Sequence, residues 1–393
     1  MSRPVVFPGG LDSPSQEKAI LYFYRRLWPL LTASLDPIPP PLQAFGDHKV
    51  VLLATGLLAD SHRFLQDKRN RPPDTVEKRR QCIEAVNEEL GRCSADGTIS
   101  MQPLLFAILL LYFYEGYIDC SRWPLSTLIH HGGIQATLEK MGGLERVLNL
   151  GHESLQVLVS LFATADLTSN MLRGGVPSFS PLSWRLFHPS SVWWQQHVST
   201  DESSPTLSLT DVFEQMSAML LYRQSLGSTG ARPSTDRIRV FEQALQPAYA
   251  PFKSLSTSSL ASTDSSSTSH YAFIRAYQHT ALIYLYREVC GLSTSHPLVQ
   301  QHVDACLDTI NMLYNSSKAI NCLVFPLCVA GSHSLAVPRQ RQILKMLLAV
   351  QNEMRFTSLQ HLIEFLEACW RVKPEENSWL ETFTMLNKNI ISF

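Results

Sequence analysis

Apolar residues recur along this chain mostly at spacings of three and four, and few runs alternate with the period of two that a half-buried strand requires. Ile20, Tyr24, Leu27 and Leu31 stand at i, i+4, i+7 and i+11, and the prolines from Pro37 to Pro41 stop that stripe. Val50, Leu53, Leu57 and Phe64 repeat it. The run from Leu104 to Tyr114 is apolar on every side, which predicts a helix inside a bundle and not on its face. After Trp123 and Pro124 a helix is predicted through Leu128 and Leu138 to a stop at Gly142 and Gly143. Leu155, Leu158, Val159 and Phe162 make the next stripe. Phe213, Met216 and Leu220 follow capping candidates Ser208 and Asp211, and Ile238, Phe241 and Leu245 follow Ser234. Ile274, Tyr277, Ala281 and Leu285, then Val299, Val303, Cys306, Ile310 and Leu313, then Leu359, Leu362, Ile363, Leu366 and Trp370 complete the pattern. The predicted fold class is all-α, a multi-helix bundle, and no fixed-period repeat supports a solenoid.

Two stretches interrupt the periodicity. Residues 174–205 are rich in Pro, Ser and Trp, and Trp184, Trp193 and Trp194 predict an irregular but packed connection. Residues 254–269 hold 12 Ser or Thr among 16, too polar to offset the entropy of ordering, which predicts a flexible loop. Residues 1–16 are expected to be a tail and 17–393 one all-helical domain. The 393 residues, 45% hydrophobic and 17% charged, suffice for a large core. With 33 basic against 34 acidic residues there is no global field to gather nucleic acid or anionic membrane. The eight cysteines are scattered through apolar stretches and read as reduced core thiols. The first twelve residues lack a secretory apolar run, and Pro103 to Tyr114 falls short of the ~20 residues of a membrane span, so an intracellular chain without membrane contact is expected.

The search for chemistry returns little. His302 and Cys306 share a helix face without a second ligand pair, and His152-Glu153 has Gln156 where a zinc-protease helix needs histidine. Gly331-Ser332-His333 lacks the flanking glycine of a nucleophile turn, and His131-Gly132-Gly133 continues with Ile134 where an esterase loop has glycine. No phosphate-binding glycine motif occurs. Asp304 and Asp308, one turn apart, raise the alternative of an all-α, magnesium-dependent terpene synthase-like lyase, but no adjacent-aspartate motif accompanies them and an exposed carboxylate pair explains them better. No catalytic residue, metal ligand or cofactor is expected. A basic cluster, Lys68, Arg69 and Arg71, then Lys78, Arg79 and Arg80, is a candidate nuclear-import signal, with a solvated helix start as the simpler account.

Several stretches together resemble the fungal-specific transcription factor domain, the regulatory domain of fungal zinc-cluster transcription factors. They are Tyr22 to Leu31, Val50 to His62, and Leu109 to Val147 with its acidic Glu115 and Trp123. Near the C-terminus come Phe325, Pro326, Ala330, Gly331 and Arg341, then Trp370 and Trp379. The resemblance implies a non-catalytic transcription regulator in the nucleus (or the cytoplasm), of a metabolic or secondary-metabolite gene cluster. The six-cysteine module that normally reads the major groove is not among these residues. A protein partner, a DNA-binding regulator, is therefore expected to supply the DNA contact unless that module is encoded upstream of Met1, and a small-molecule effector would suit such a domain. A helical scaffold without nuclear role is the remaining alternative.

Overall fold

The computed structural model describes residues 14–33, 38–67, 74–95, 100–120, 126–150, 152–194, 208–246, 264–314, 318–372, 379–386 and 390. Among them there is no strand. The helices are α1 (Pro14–Tyr22), α2 (Leu42–Phe45), α3 (Lys49–Gln66), α4 (Thr75–Ala95), α5 (Gln102–Phe113), α6 (Ser126–Lys140), α7 (Leu144–Leu150) and α8 (Glu153–Arg173). After a connection follow α9 (Leu209–Thr229), α10 (Thr235–Leu245), α11 (Asp264–Tyr284), α12 (Pro297–Tyr314), α13 (Val324–Ser332), α14 (Val337–Met354), α15 (Thr357–Arg371) and α16 (Trp379–Met385). The expected all-α, multi-helix fold is the observed one.

Two helices illustrate why the chain collapses as it does. α5 starts with Pro103 in its first turn, where a missing N–H costs nothing, and every residue from Pro103 to Phe113 is buried. It packs against α3, α6 and α8. α8 places Glu153 in its first turn and Arg173 in its last, matching the helix dipole, and Gly174 at φ +70° ends it. By length and composition α8 could cross a membrane, yet 83% of its apolar window is buried inside the fold. α6 stops at Gly142 and Gly143, both at positive φ, as the glycine pair predicts. Ser208 and Asp211 form a reciprocal capping box on α9.

α13, buried from Val324 to Gly331, contacts α11, α12, α14 and α15. Gly331 lies in the last turn of α13, where a Cβ would come 3.0 Å from both methyls of Leu366 and 3.4 Å from Ile343. Trp370 Nε1 donates to the Gly331 carbonyl at 2.9 Å, so α15 cannot simply back away. Gly331→Ala is expected to destabilise the protein by about 1 to 2 kcal/mol in urea unfolding, overpacking outweighing the gain in helix propensity. Equal or greater stability would show that the α13–α15 contact yields freely.

Boundaries differ from expectation at two places. The tail predicted over residues 1–16 ends earlier, because α1 begins at Pro14 and buries Ala19 and Ile20. Of the loop predicted over 254–269, residues 254–263 lie outside the described residues, and 264–269 belong to α11. A helix anchored by its buried later turns extends at little cost per residue, which low side-chain hydrophobicity does not prevent. In the connection after α8, residues 174–194 make two 3₁₀ turns, Pro181–Leu186 and Pro189–Ser191. They carry Trp184, Trp193 and Trp194 into the core, where Trp184 Nε1 donates to Ser217 Oγ (2.8 Å) and Trp193 Nε1 to Thr164 Oγ1 (3.0 Å). Residues 195–205 lie outside the described residues. All eight cysteines are free and buried or half-buried.

Candidate functional site

Of the basic cluster, the three described residues, Lys78, Arg79 and Arg80, do not form one patch. Lys68, Arg69 and Arg71 lie outside the described residues. Lys78, Arg79 and Arg80 follow one another on α4, and consecutive helical residues point about 100° apart. Lys78 Nζ meets Asp60 Oδ2 at 3.0 Å and Asp74 Oδ2 at 3.1 Å. Arg80 pairs at the surface with Glu77 and Glu84. Arg79 turns inward, its side chain 15% exposed, and puts Nε 2.7 Å and Nη2 2.6 Å from Glu115 Oε1.

Glu115 is the one carboxylate among the described residues with no exposed surface. It sits in a π-helical turn, Tyr114–Ile118, that extends α5 and is buried throughout. His130 Nε2, from α6, approaches the same oxygen at 3.3 Å. In the same turn Tyr114 Oη donates to Asp119 Oδ2 at 3.1 Å. Tyr117 stacks between Phe113 (5.7 Å) and Phe356 (4.9 Å), and Phe356 meets the edge of His62 at 5.4 Å. His62, fully buried on α3, accepts from Tyr22 Oη at Nδ1 (2.9 Å) and donates from Nε2 to the Met354 carbonyl (2.6 Å). Arg355 then takes φ +57°, the left-handed corner between α14 and α15. A continuous polar and aromatic seam thus ties α4, α5 and α6 to α1, α3 and that corner. Burial lowers the His62 pKa to about 4, despite the carbonyl partner, so at neutral pH the ring is neutral.

The other chemical candidates find structural partners. Asp304 and Asp308 both hold Arg339, at 3.2 and 2.8 Å. His302 faces His279 on α11 (3.0 Å between Nδ1 atoms), whereas Cys306 lies against Thr280 and the Ala276 carbonyl. His131 meets Asp166 Oδ1 at 2.8 Å, and Ser178 Oγ lies 3.2 Å from the same His131 nitrogen and 3.0 Å from that carboxylate. A hydrolytic relay needs acid and nucleophile on opposite ring nitrogens, and here one nitrogen meets both. Ser332 Oγ donates to the Val329 carbonyl within α13 and occupies no strained turn. Among the described residues no three His, Cys, Asp or Glu side chains converge on a possible metal position.

The three tryptophans of the connection pack against neighbouring rings, as expected of a packed connection: Trp184 and Trp194 on Phe213, and Trp193 on Phe273. Two surface features are open instead. A shallow depression of about 440 Å³ runs along α14 beside Arg341, Leu344, Lys345 and Leu348. A half-enclosed groove of about 220 Å³ lies between α1, α3 and α4, with Gly56 on its floor. Neither holds a catalytic set. Sequence spacing missed the Glu115 centre as a centre; its one legible signal was an acid within the most apolar run of the chain.

The family model described as fungal specific transcription factor domain matches residues 13–393. The chain is also similar to the ustiloxin B cluster transcription factor ustR of Aspergillus flavus, 26% identical over 125 residues. That alignment covers 29% of this chain and 21% of the relative. No solved structure matches.

Proposed function

Because this chain belongs to the fungal specific transcription factor domain family, we propose that it regulates transcription from the nucleus by binding other molecules, without covalent chemistry of its own. The observation that carries the reading is the family match over residues 13–393, nearly the whole chain. The electrostatic layout agrees with it: Arg79 and the buried Glu115 close on one another, as in a structural core, and among the described residues no acid, base and nucleophile converge on a cavity. The relative's name ties that protein to the ustiloxin B cluster, and we extend control of a metabolic or secondary-metabolite gene cluster to this chain. We assign the DNA contact to a partner protein that this domain binds.

Deleting the gene and measuring transcripts genome-wide tests this: one contiguous set of biosynthetic genes is expected to change tenfold or more. Unchanged transcripts would overturn the reading. The competing lyase reading expects turnover of an isoprenoid diphosphate with Mg²⁺; we expect none, because Asp304 and Asp308 both pair with Arg339 and among the described residues no third carboxylate joins them. For import, changing Lys68, Arg69 and Arg71 to alanine is expected to shift a fluorescently tagged copy from nucleus to cytoplasm. The unaltered copy residing only in the cytoplasm would favour a scaffold.

A further inference from the structure

α14 has two apolar sides. Its inner side buries Ile343, Met346, Leu347 and Val350 in the core. That side alone is enough to hold a surface helix. A second line, Val337, Leu344 and Leu348, stands at i, i+7 and i+11 toward the outside, where Val337 is 53% and Leu348 42% exposed and Leu344 is half-buried with one side against the core. This outer line borders the shallow depression of about 440 Å³ already described. From Val337 to Asn352 it spans four turns, about 24 Å at 1.5 Å per residue. Such a long, flat surface suits a macromolecular helix better than a small molecule, which prefers an enclosed pocket.

Charge selects the occupant. Arg341 and Lys345 lie one turn apart within the stripe, and neither has an ion-pair partner among the described residues, while Arg339 on the same helix is held by two aspartates. No acidic side chain lines the depression. A second copy packed antiparallel on this face would bring Lys345 close to its own counterpart at the two-fold axis, an unfavourable like-charge contact. Nucleic acid would leave the exposed leucine and valine unused, and two cations make a weak phosphate track. An amphipathic helix with apolar residues every three or four positions and Asp or Glu beside them satisfies both features.

We infer that the outer stripe of α14, Val337, Arg341, Leu344, Lys345 and Leu348, is a docking surface for an acidic amphipathic helix of a partner protein. This deepens the regulator reading by naming the chemistry of its partner, and it rests on that reading only for where the partner is met. The experiment therefore uses no transcriptional readout. The full chain is titrated with a fluorescent designed 18-residue helical peptide carrying leucine at i, i+3 and i+7 flanked by glutamate, and with its lysine-for-glutamate counterpart.

The acidic peptide is expected to bind at least tenfold tighter than the basic one and to weaken as salt rises. The Arg341→Glu/Lys345→Glu variant should invert that preference, and Leu348→Asp should abolish binding of the acidic peptide. Both alter exposed positions, and circular dichroism with thermal melting verifies that they fold. Equal binding of the two peptides, or binding unaffected by the charge reversal, would overturn the inference. So would concentration-dependent dimerisation in sedimentation that Leu348→Asp abolishes, because the occupant would then be a second copy. Failure here leaves the gene-deletion result untouched, and the reverse also holds.

Discussion

Arg79→Met is expected to lower the stability of the protein by about 3 to 5 kcal/mol, the largest effect of any single surface-proximal residue. The reason is what it leaves behind. Glu115 has no exposed surface, and both nitrogens of Arg79 that reach it lie within 2.7 Å of one oxygen. Removing one partner of a buried pair strands the other charge in a medium that solvates it poorly, which costs about 3 to 5 kcal/mol. His130, at 3.3 Å, offers a weaker replacement. The double variant Arg79→Met/Glu115→Met should recover most of the loss, because an apolar pair of similar volume carries no desolvation cost. Urea unfolding of the two single variants, the double variant and the parent closes the cycle. A loss below about 1 kcal/mol for Arg79→Met would mean that water reaches Glu115 and that the seam is not a buried ion pair. Because the Glu115 turn also carries Tyr117, which stacks on Phe356, the α14–α15 corner should loosen together with α4.

Mild acid is the second lever. Three histidines are held neutral, chiefly by burial: His62 and His279 at a pKa of about 4 and His333 at about 3. His302, beside His279, adds to the second of these depressions. In the unfolded chain each imidazole takes up a proton near pH 6.5. Between that value and the folded pKa the unfolded state binds more protons, so stability is intact above pH 6.5 and falls as pH drops toward 4. Each group contributes a loss on the order of 2 kcal/mol by pH 5, before most carboxylates titrate. For His62 the structural consequence is specific. Protonation at Nδ1 removes the acceptor used by Tyr22 Oη, and α1 loses that hydrogen bond to α3 while keeping its apolar packing. Urea midpoints at pH 7, 6 and 5 should decline steadily, and His62→Gln, which cannot titrate, should flatten part of that slope. A midpoint independent of pH across this window would refute the neutral, buried assignment.

The sequence was most legible where the physics is local. Helix spacing, the all-round apolar run of α5, the glycine stop after α6 and the Ser208 cap each depend on residues within one or two turns, and each stands where its pattern puts it. Boundaries that depend on distant packing were less legible, as at Pro14 and Asp264, where helices start earlier than composition suggests. The basic run on α4 reads along the chain as one charged block, but helical geometry sends Lys78, Arg79 and Arg80 in three directions, one of them inward.

From the sequence alone came the fold class, the core helices, the family resemblance and the lack of a recognisable catalytic motif, because apolar periodicity and motif spacing are properties of neighbouring residues. Only the tertiary structure decided which polar groups meet. His62 finds the Met354 carbonyl 292 positions away, Arg79 finds Glu115, and α14 is left with an apolar outer face that no other described helix covers. The energy of a charge or an exposed leucine depends on what lies across from it. That is settled when helices distant in sequence pack, not when each one forms.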